Sequence, residues 1–326
     1  MNTLIEEALC NYKIRYPKVE FIRHNENEIF KVTDMLLNKQ YIIRIHKSSK
    51  GFSADILRDN ENPFNLHMSE ISIIRSINKN TDINVQVPVK NIHGDFVTKL
   101  RDGTLVTMLT WINGKTIDEI ELTDEVLFEI GKMVGKFHKF SKVWSESKKI
   151  NRYCYDKKLL KRISFKLIKG IKLKVISNEQ FKIIKDAISG IYEVMNELEL
   201  QKYSKGIVHC DLAKSNLIVN EAGQVIPIDF GLSGISYYYM DLGSLFSHFN
   251  KPNQQRWIVS GYKSIINETI NIKFIEAFMV FQIIFFISTH IENAKEYKWF
   301  NNAINKWSRN YFIPFAQKEK IIERSI

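Results

Sequence analysis

At 326 residues and 44% apolar content, the chain is long enough to bury one large core or two moderate ones. Its longest apolar run, 278–287, is interrupted by Gln282 and falls well short of the roughly 20 residues that span a bilayer. The first residues hold no basic region leading into an apolar stretch. Neither a membrane span nor a signal peptide is expected, and the expected location is cytoplasmic. Cys10, Cys154 and Cys210 are odd in number and scattered, which excludes metal-ligand spacing and fits reduced thiols. The net charge of +11 permits an anionic partner without locating one.

In chain order, residues 1–17 read as a short helix with Leu4, Ile5, Leu9 and Tyr12 on one side. Strands follow near 19–23, 28–34 and 40–46, then a helix over 66–78 in which Ile71, Ile74 and Ile77 recur at helical spacing. A hairpin is expected from 86–92 and 97–111, with Gly94-Asp95 and Asp102-Gly103 supplying turn chemistry. From Thr123 the period changes to that of a helix through Val126, Leu127, Ile130, Val134 and Phe137, where Gly131 and Gly135 permit close helix contact and His138 reads as a core residue. Residues 157–174 carry eight Lys or Arg and no acid, with Leu159, Ile163, Leu167 and Ile171 on one face. This amphipathic basic helix reads first as a solvated face of a helical lobe, and second as a contact for an anionic surface. Nothing resembles a module that reads nucleic acid. The fold class expected is α+β with two lobes. Residues 1–110 form a small β-rich lobe with one main helix, and 111–326 form a larger, mostly helical one.

The chemistry concentrates between His209 and Gly231. His209-Cys-Asp-Leu-Ala-Lys-Ser-Asn216 is followed by Val225-Ile-Pro-Ile-Asp229-Phe-Gly231, so that Asp211, Asn216 and Asp229 fall within nineteen residues. Phosphoryl transfer asks a protein for position, metal ions and one acceptor for a hydroxyl proton. Asp211 suits the acceptor role, while Asn216 and Asp229 offer the hard oxygens that magnesium prefers.

On these residues the chain resembles the aminoglycoside phosphotransferase and choline kinase-like superfamily, a bacterial phosphotransferase group of protein-kinase-like fold with the signature H-G-D-x-x-x-x-N followed by I-D-F/W. The stretch from Asn25 to Val32 resembles its first hairpin, Tyr41-Ile-Ile-Arg44-Ile its third strand, Met108-Leu-Thr-Trp111-Ile-Asn-Gly114 its hinge, and Met240-Asp241-Leu-Gly243 its late D-L-A/G element. The resemblance covers about residues 20–250 and implies ATP and Mg2+ as cofactors. It implies Asp211, Asn216 and Asp229 as catalytic residues, with Asn216 and Asp229 on the metal. Arg44, Glu70, Asn27, Leu109 and Trp111 are implied at the nucleotide. Asp241 is implied to bond the catalytic-loop backbone, and His209 to serve as a buried scaffold. For Glu70, an exposed position on an amphipathic helix is the alternative, and for Asp241 a helix N-cap.

Three positions depart from that pattern. Cys210 stands where the superfamily has Gly, which implies packing and a slightly different backbone setting rather than a nucleophile. Arg44 replaces the phosphate-binding Lys, keeping a guanidinium that can grip phosphate oxygens. No glycine lies between Phe21 and Phe30, so a glycine-rich loop over the phosphates is absent.

The expected acceptor is a small-molecule hydroxyl. After Asp241 the chain has six Glu, no Asp and eleven Lys or Arg, a balance that counts against a polycationic antibiotic. Only nine residues separate Gly231 from Asp241, and no Ala-Pro-Glu occurs, too little for the activation loop of a protein kinase. Tyr237, Tyr238, Tyr239, Phe246, Phe249, Trp257, Phe278, Phe281, Phe285 and Trp299 include candidates for an acceptor pocket, with helix packing expected for most. A Ser/Thr kinase of the bacterial stress-kinase type and a catalytically silent nucleotide-binding protein are the alternatives.

Overall fold

The computed structural model describes residues 3–24, 27–47, 55–57 and 62–322; Glu26 of the expected first hairpin lies outside them. Helix α1 (Thr3–Cys10) precedes β1 (Pro17–His24), β2 (Glu28–Asp34) and β3 (Lys39–His46), then α2 (Pro63–Asn80), β4 (Val97–Lys99) and β5 (Leu105–Thr110). These strands make one five-stranded antiparallel sheet in the order β1-β2-β3-β5-β4.

The alternation of β3 explains how this sheet divides its two faces. Ile43 and Ile45 pack with Ile5, Ala8, Tyr12, Val106 and Met108 on the α1 side. Ile42 joins the α2 side, where Ile71, Ile73, Ile74 and Ile77 lie buried with Leu109. Each such isoleucine contributes about 1.5–3 kcal/mol when removed from water. Arg44 and His46 share the face of Ile42, so the same period that builds the core delivers a guanidinium to α2.

Two expectations change here. The first helix stops at Cys10 rather than near 17; Tyr16 takes a left-handed backbone (φ 51°) and Pro17 opens the strand. Residues 86–92 form no strand: Pro88 makes an isolated bridge to Leu109, having no N–H to offer a ladder. The hairpin is instead β4 with β5, closed by Gly103 at φ 90°. Helix α2 also begins earlier than the periodicity indicates, with Asn62 capping Phe64 N–H and Pro63 at its first position.

Beyond Thr110 come β6 (Lys115–Thr116), α3 (Asp124–Val143), β7 (Tyr153–Cys154), α4 (Lys157–Lys172), α5 (Asn178–Glu199) and β8 (Lys205–Val208). There follow β9 (Leu217–Val219), β10 (Val225–Pro227), β11 (Gly234–Tyr237), α6 (Tyr239–His248), α7 (Pro252–Lys263), α8 (Ile272–His290), α9 (Phe300–Trp307) and α10 (Ile313–Ala316). The short strands form two three-stranded sheets, β10-β9-β6 and β7-β11-β8. Gly131 of α3 meets α7 so closely that a Cβ would fall 1.9 Å from the Ile258 carbonyl oxygen, the close contact its sequence position implied. The basic segment is α4: Leu159, Ile163 and Leu167 are buried, while Lys157 and Lys169 pair with Glu199 and Glu292.

Helix α8 corrects the reading of the apolar run. Continuous helix through Ile272–Glu296 is long and apolar enough to cross a membrane by length and composition, yet 83% of its most apolar window is buried inside the protein. It is apolar all round because other helices surround it, and its contacts with α6, α5 and α4 make it the axis of the helical lobe.

Candidate active site

The loop between β8 and β9 carries the stretch from His209 to Asn216, and one buried carboxylate shapes it. Asp241, in the first turn of α6 and fully buried, accepts the backbone N–H groups of His209 (3.0 Å) and Cys210 (2.8 Å). Its Oδ2 also accepts from His138 Nε2 at 3.0 Å, and the other nitrogen of that ring meets the Tyr262 hydroxyl at 2.9 Å. Asp241 is therefore a strut for the loop and not a helix cap. Ser244 Oγ takes the Leu212 N–H and Gln282 Nε2 donates to the Cys210 carbonyl, so α6 and α8 hold the loop from below. His209 lies in the same loop, nearly fully buried. Its Nε2 donates to the Ile228 carbonyl, and Nδ1 accepts the Asp211 N–H.

Cys210 resolves differently from the sequence reading. Its φ is 66°, the left-handed region that favours glycine, so the backbone keeps a glycine-like setting and the side chain is accommodated there, at a cost on the order of 1–2 kcal/mol. The bonds from Asp241 and Gln282 hold it in place. Burial pushes the thiol well above its ordinary value, with Asp241 adding to the effect, and an inert packing residue results.

Asn216 donates Nδ2 to both the carbonyl (3.1 Å) and Oδ2 (2.8 Å) of Asp211. That orients Asp211 and leaves Oδ1 of Asn216 as its oxygen for a cation. Burial raises the Asp211 carboxyl, and the neighbouring Asp229 raises it further, against the opposing effect of His209 and Asn216. A carboxylate lifted in this way is a better proton acceptor.

Asp229 follows β10 in a left-handed conformation (φ 61°, ψ 66°). Its carboxylate meets two guanidinium groups, Arg23 at 3.1 Å and Arg44 at 3.5 Å. Arg44 in turn pairs with Glu70 of α2 at 2.6 Å, both buried, so Glu70 is no surface residue. Burial alone would raise the Glu70 carboxyl, but Arg44, with His67 and Arg152, holds it well below the usual range. His46 stacks on His67 at 3.5 Å between ring centres and takes a hydrogen-bond contact of 2.8 Å with Asn27 Oδ1.

Asp211, Asn216, Asp229 and Asn27 thus line one cavity of about 620 Å3, whose far wall comes from α8 and the segment 306–311. Among the expected nucleotide residues, Leu109 lies in the core beside α2 and Trp111 sits beneath the Lys31 amine at 4.4 Å; neither lines this cavity. Of the aromatic residues put forward for an acceptor pocket, Phe285 lines it, together with Phe286, Trp307 and Tyr311. Tyr237, Tyr238, Phe246, Phe249, Phe278 and Phe281 are buried in packing.

Several residues here had no signal in the sequence. Arg152 donates to the carbonyls of Leu66, Phe230, Gly231 and Ser233, clamping the Asp229-Phe-Gly turn to α2. Arg23 and Gln282 reach the site from far along the chain. His138, expected in the core, is there as a polar link.

The choline/ethanolamine kinase family model matches residues 94–306. No curated protein matches the sequence. Among solved structures, a microcompartment-associated aminopropanol kinase superposes with TM-score 0.73 at 18% identity, over 96% of this chain and 98% of that one. An amicoumacin kinase, solved with AMP-PNP, Ca2+ and its ligand, gives 0.74 at 16% identity over 98% and 94%. Choline kinase from Cryptosporidium parvum gives 0.62 at 18% identity over 97% and 96%. The fold is the two-lobed, protein-kinase-like α+β fold.

Proposed function

The chain belongs to the choline/ethanolamine kinase family, and from that premise we propose that it moves the γ-phosphate of Mg-ATP to a hydroxyl of a small molecule held in the cavity at Asp211. The observation that carries this reading is the convergence of Asp211, Asn216 and Asp229 on one cavity, with Asp211 oriented by Asn216.

The roles follow from the geometry. Asp211 accepts the acceptor's hydroxyl proton as the oxygen attacks. Asp229 and the Asn216 Oδ1 suit magnesium, being one carboxylate and one amide oxygen beside a site for phosphates. When bound, magnesium supplies positive charge against the phosphates. Arg44 offers its guanidinium to phosphate oxygens, and Glu70 fixes its direction. His209 and Asp241 keep the loop in register. The amicoumacin kinase solved with AMP-PNP supports the nucleotide assignment. We place Asn27, Leu109 and Trp111 at the nucleotide end and the lobe boundary at 110/111, where the five-stranded sheet ends.

The acceptor end has Gln282, Thr289, His290, Lys306, Trp307 and Tyr311, and among the described residues the lining holds no carboxylate besides Asp211 and Asp229. This favours an uncharged or singly charged hydroxyl compound over a polycation. From Gly234 the chain runs in β11, paired on both sides by β7 and β8, which supports a small molecule over a peptide. We place the protein in the cytoplasm, where its free Cys10, Cys154 and Cys210 would stay reduced. An ADP-release screen over amino alcohols, sugars, nucleosides, aminoglycosides and a generic protein tests the reading. Release with one small-molecule class supports it. Release with the protein alone points to a Ser/Thr kinase, and nucleotide binding without release on any acceptor points to the silent form.

A further inference from the structure

Helix α4 carries two patterns on one sequence. Leu159, Ile163 and Leu167 bury its inner face in the helical lobe, and the lobe also takes up part of its charge. Lys157 pairs with Glu199 and Lys169 with Glu292, while Lys166 is buried under the influence of Glu292 and Asp55. On the outer face Lys158, Lys161, Phe165, Ile168 and Lys172 follow one another at alternating steps of three and four residues, and all five are exposed. At 3.6 residues per turn they fall within an arc of about 80° and run about 21 Å along the helix. Phe165 is 72% exposed and Ile168 39%, so this stripe has an apolar centre with ammonium groups at both ends. Among the described residues no acid pairs with Lys158, Lys161 or Lys172. Glu199 also joins Lys157 to Lys205, which places the turn after α5 at the N-terminal end of α4. In that turn Leu200 and Tyr203 are exposed as well.

Lysines alone would make a solvated face; Phe165 and Ile168 between them ask for an apolar medium beneath an anionic one. Nucleic acid offers the charge without that medium. A second copy of this chain would set one basic stripe against another, with a net charge of +11 on each. A bilayer with anionic headgroups offers both, at depths that suit an apolar centre and cationic ends. We propose that the outer face of α4 is a docking surface for an anionic lipid bilayer, with Phe165 and Ile168 inserted and Lys158, Lys161 and Lys172 on the headgroups. None of these five residues lines the cavity at Asp211, so the docking stands apart from the phosphotransferase reading.

Co-sedimentation of the full chain with vesicles of phosphatidylcholine alone, and of equal parts phosphatidylcholine and phosphatidylglycerol, tests it. Wild-type protein should partition onto the anionic vesicles, come off as salt is raised, and stay in solution beside the neutral ones. The double variant Lys158→Gln/Lys161→Gln should weaken partition about tenfold or more, each lysine near such a surface contributing about fivefold. Phe165→Ala should weaken it about tenfold with the salt response kept. No partition, equal partition onto neutral vesicles, or undiminished partition by both variants overturns the inference. Binding of a DNA duplex without binding of vesicles overturns it too, and marks the stripe as a nucleic-acid contact. The replaced side chains are all exposed, so thermal melts of the variants should coincide with wild type and separate lost partition from lost folding.

Discussion

Replacing Asp241 by alanine removes the one acceptor shared by His209 N–H, Cys210 N–H and His138 Nε2, all in a fully buried pocket. The donors lose a charged acceptor in a site shielded from solvent. A hydrogen bond to a charged group is worth about 1.5–3 kcal/mol, and with three of them lost Asp241→Ala should cost about 4 kcal/mol or more. Cys210 adds to this, since its φ of 66° is held by one of the lost bonds. Asp241→Asn keeps one oxygen acceptor and presents a donor to the other side, so its cost should be about half as large. The functional effect is separate. If the loop relaxes, Asp211 moves relative to the acceptor, and a shift of about 1 Å costs on the order of 10²-fold in turnover. Urea denaturation followed by circular dichroism reads the stability terms, and nucleotide titration shows whether the ATP end survives. An Asp241→Ala variant within about 1 kcal/mol of wild type would refute the claim that this carboxylate holds the loop.

Glu70→Ala leaves Arg44 buried without its main partner and should destabilise by about 3–5 kcal/mol. Because the Glu70 carboxyl is depressed in the folded protein, its contribution is present above the ordinary carboxylate range and is lost as pH falls below it; denaturation across that range should show wild type and Glu70→Ala converging at the acid end. The raised Asp211 carboxyl places the acid limb of kcat above the ordinary aspartate value of about 3.9, and a pH–rate profile with its limb at or below that value would contradict the assignment. Thiol titration of the native protein should find Cys10 and Cys154, which are exposed, and find Cys210 only after unfolding. Cys210→Gly should change stability by less than about 1 kcal/mol, as relief of the left-handed strain offsets lost packing.

What the sequence showed of this site is what lies close together along the chain. Asp211, Asn216 and Asp229 are spaced by a loop and the β9–β10 pair, and Arg44 is delivered by the two-residue period of β3, so both patterns are local. Glu70 followed from the helical spacing of Ile71, Ile74 and Ile77, although its burial depended on finding Arg44. Arg23 was hidden because its partner lies 206 residues away and an exposed strand arginine has no distinguishing neighbour. Arg152 sits in a connection of no regular period, and its four carbonyl partners come from segments that only the fold assembles. The acceptor wall, from Gln282 to Tyr311, belongs to helices whose apolar residues are mostly occupied in packing, so composition could not separate Phe285 from Phe281. The missing strand at 86–92 traces to Pro88, whose lack of an N–H for a ladder outweighs the apolar pattern around it.

Transfer of a γ-phosphate labelled in Mg-ATP, with wild-type protein and Asp211→Asn compared on the best acceptor of the screen, is the decisive assay. Wild-type protein should place the label on the acceptor hydroxyl, and Asp211→Asn should lower turnover on the order of 10²-fold or more with ATP affinity nearly unchanged. Equal turnover by the two proteins would contradict the role assigned to Asp211 and with it the site described here.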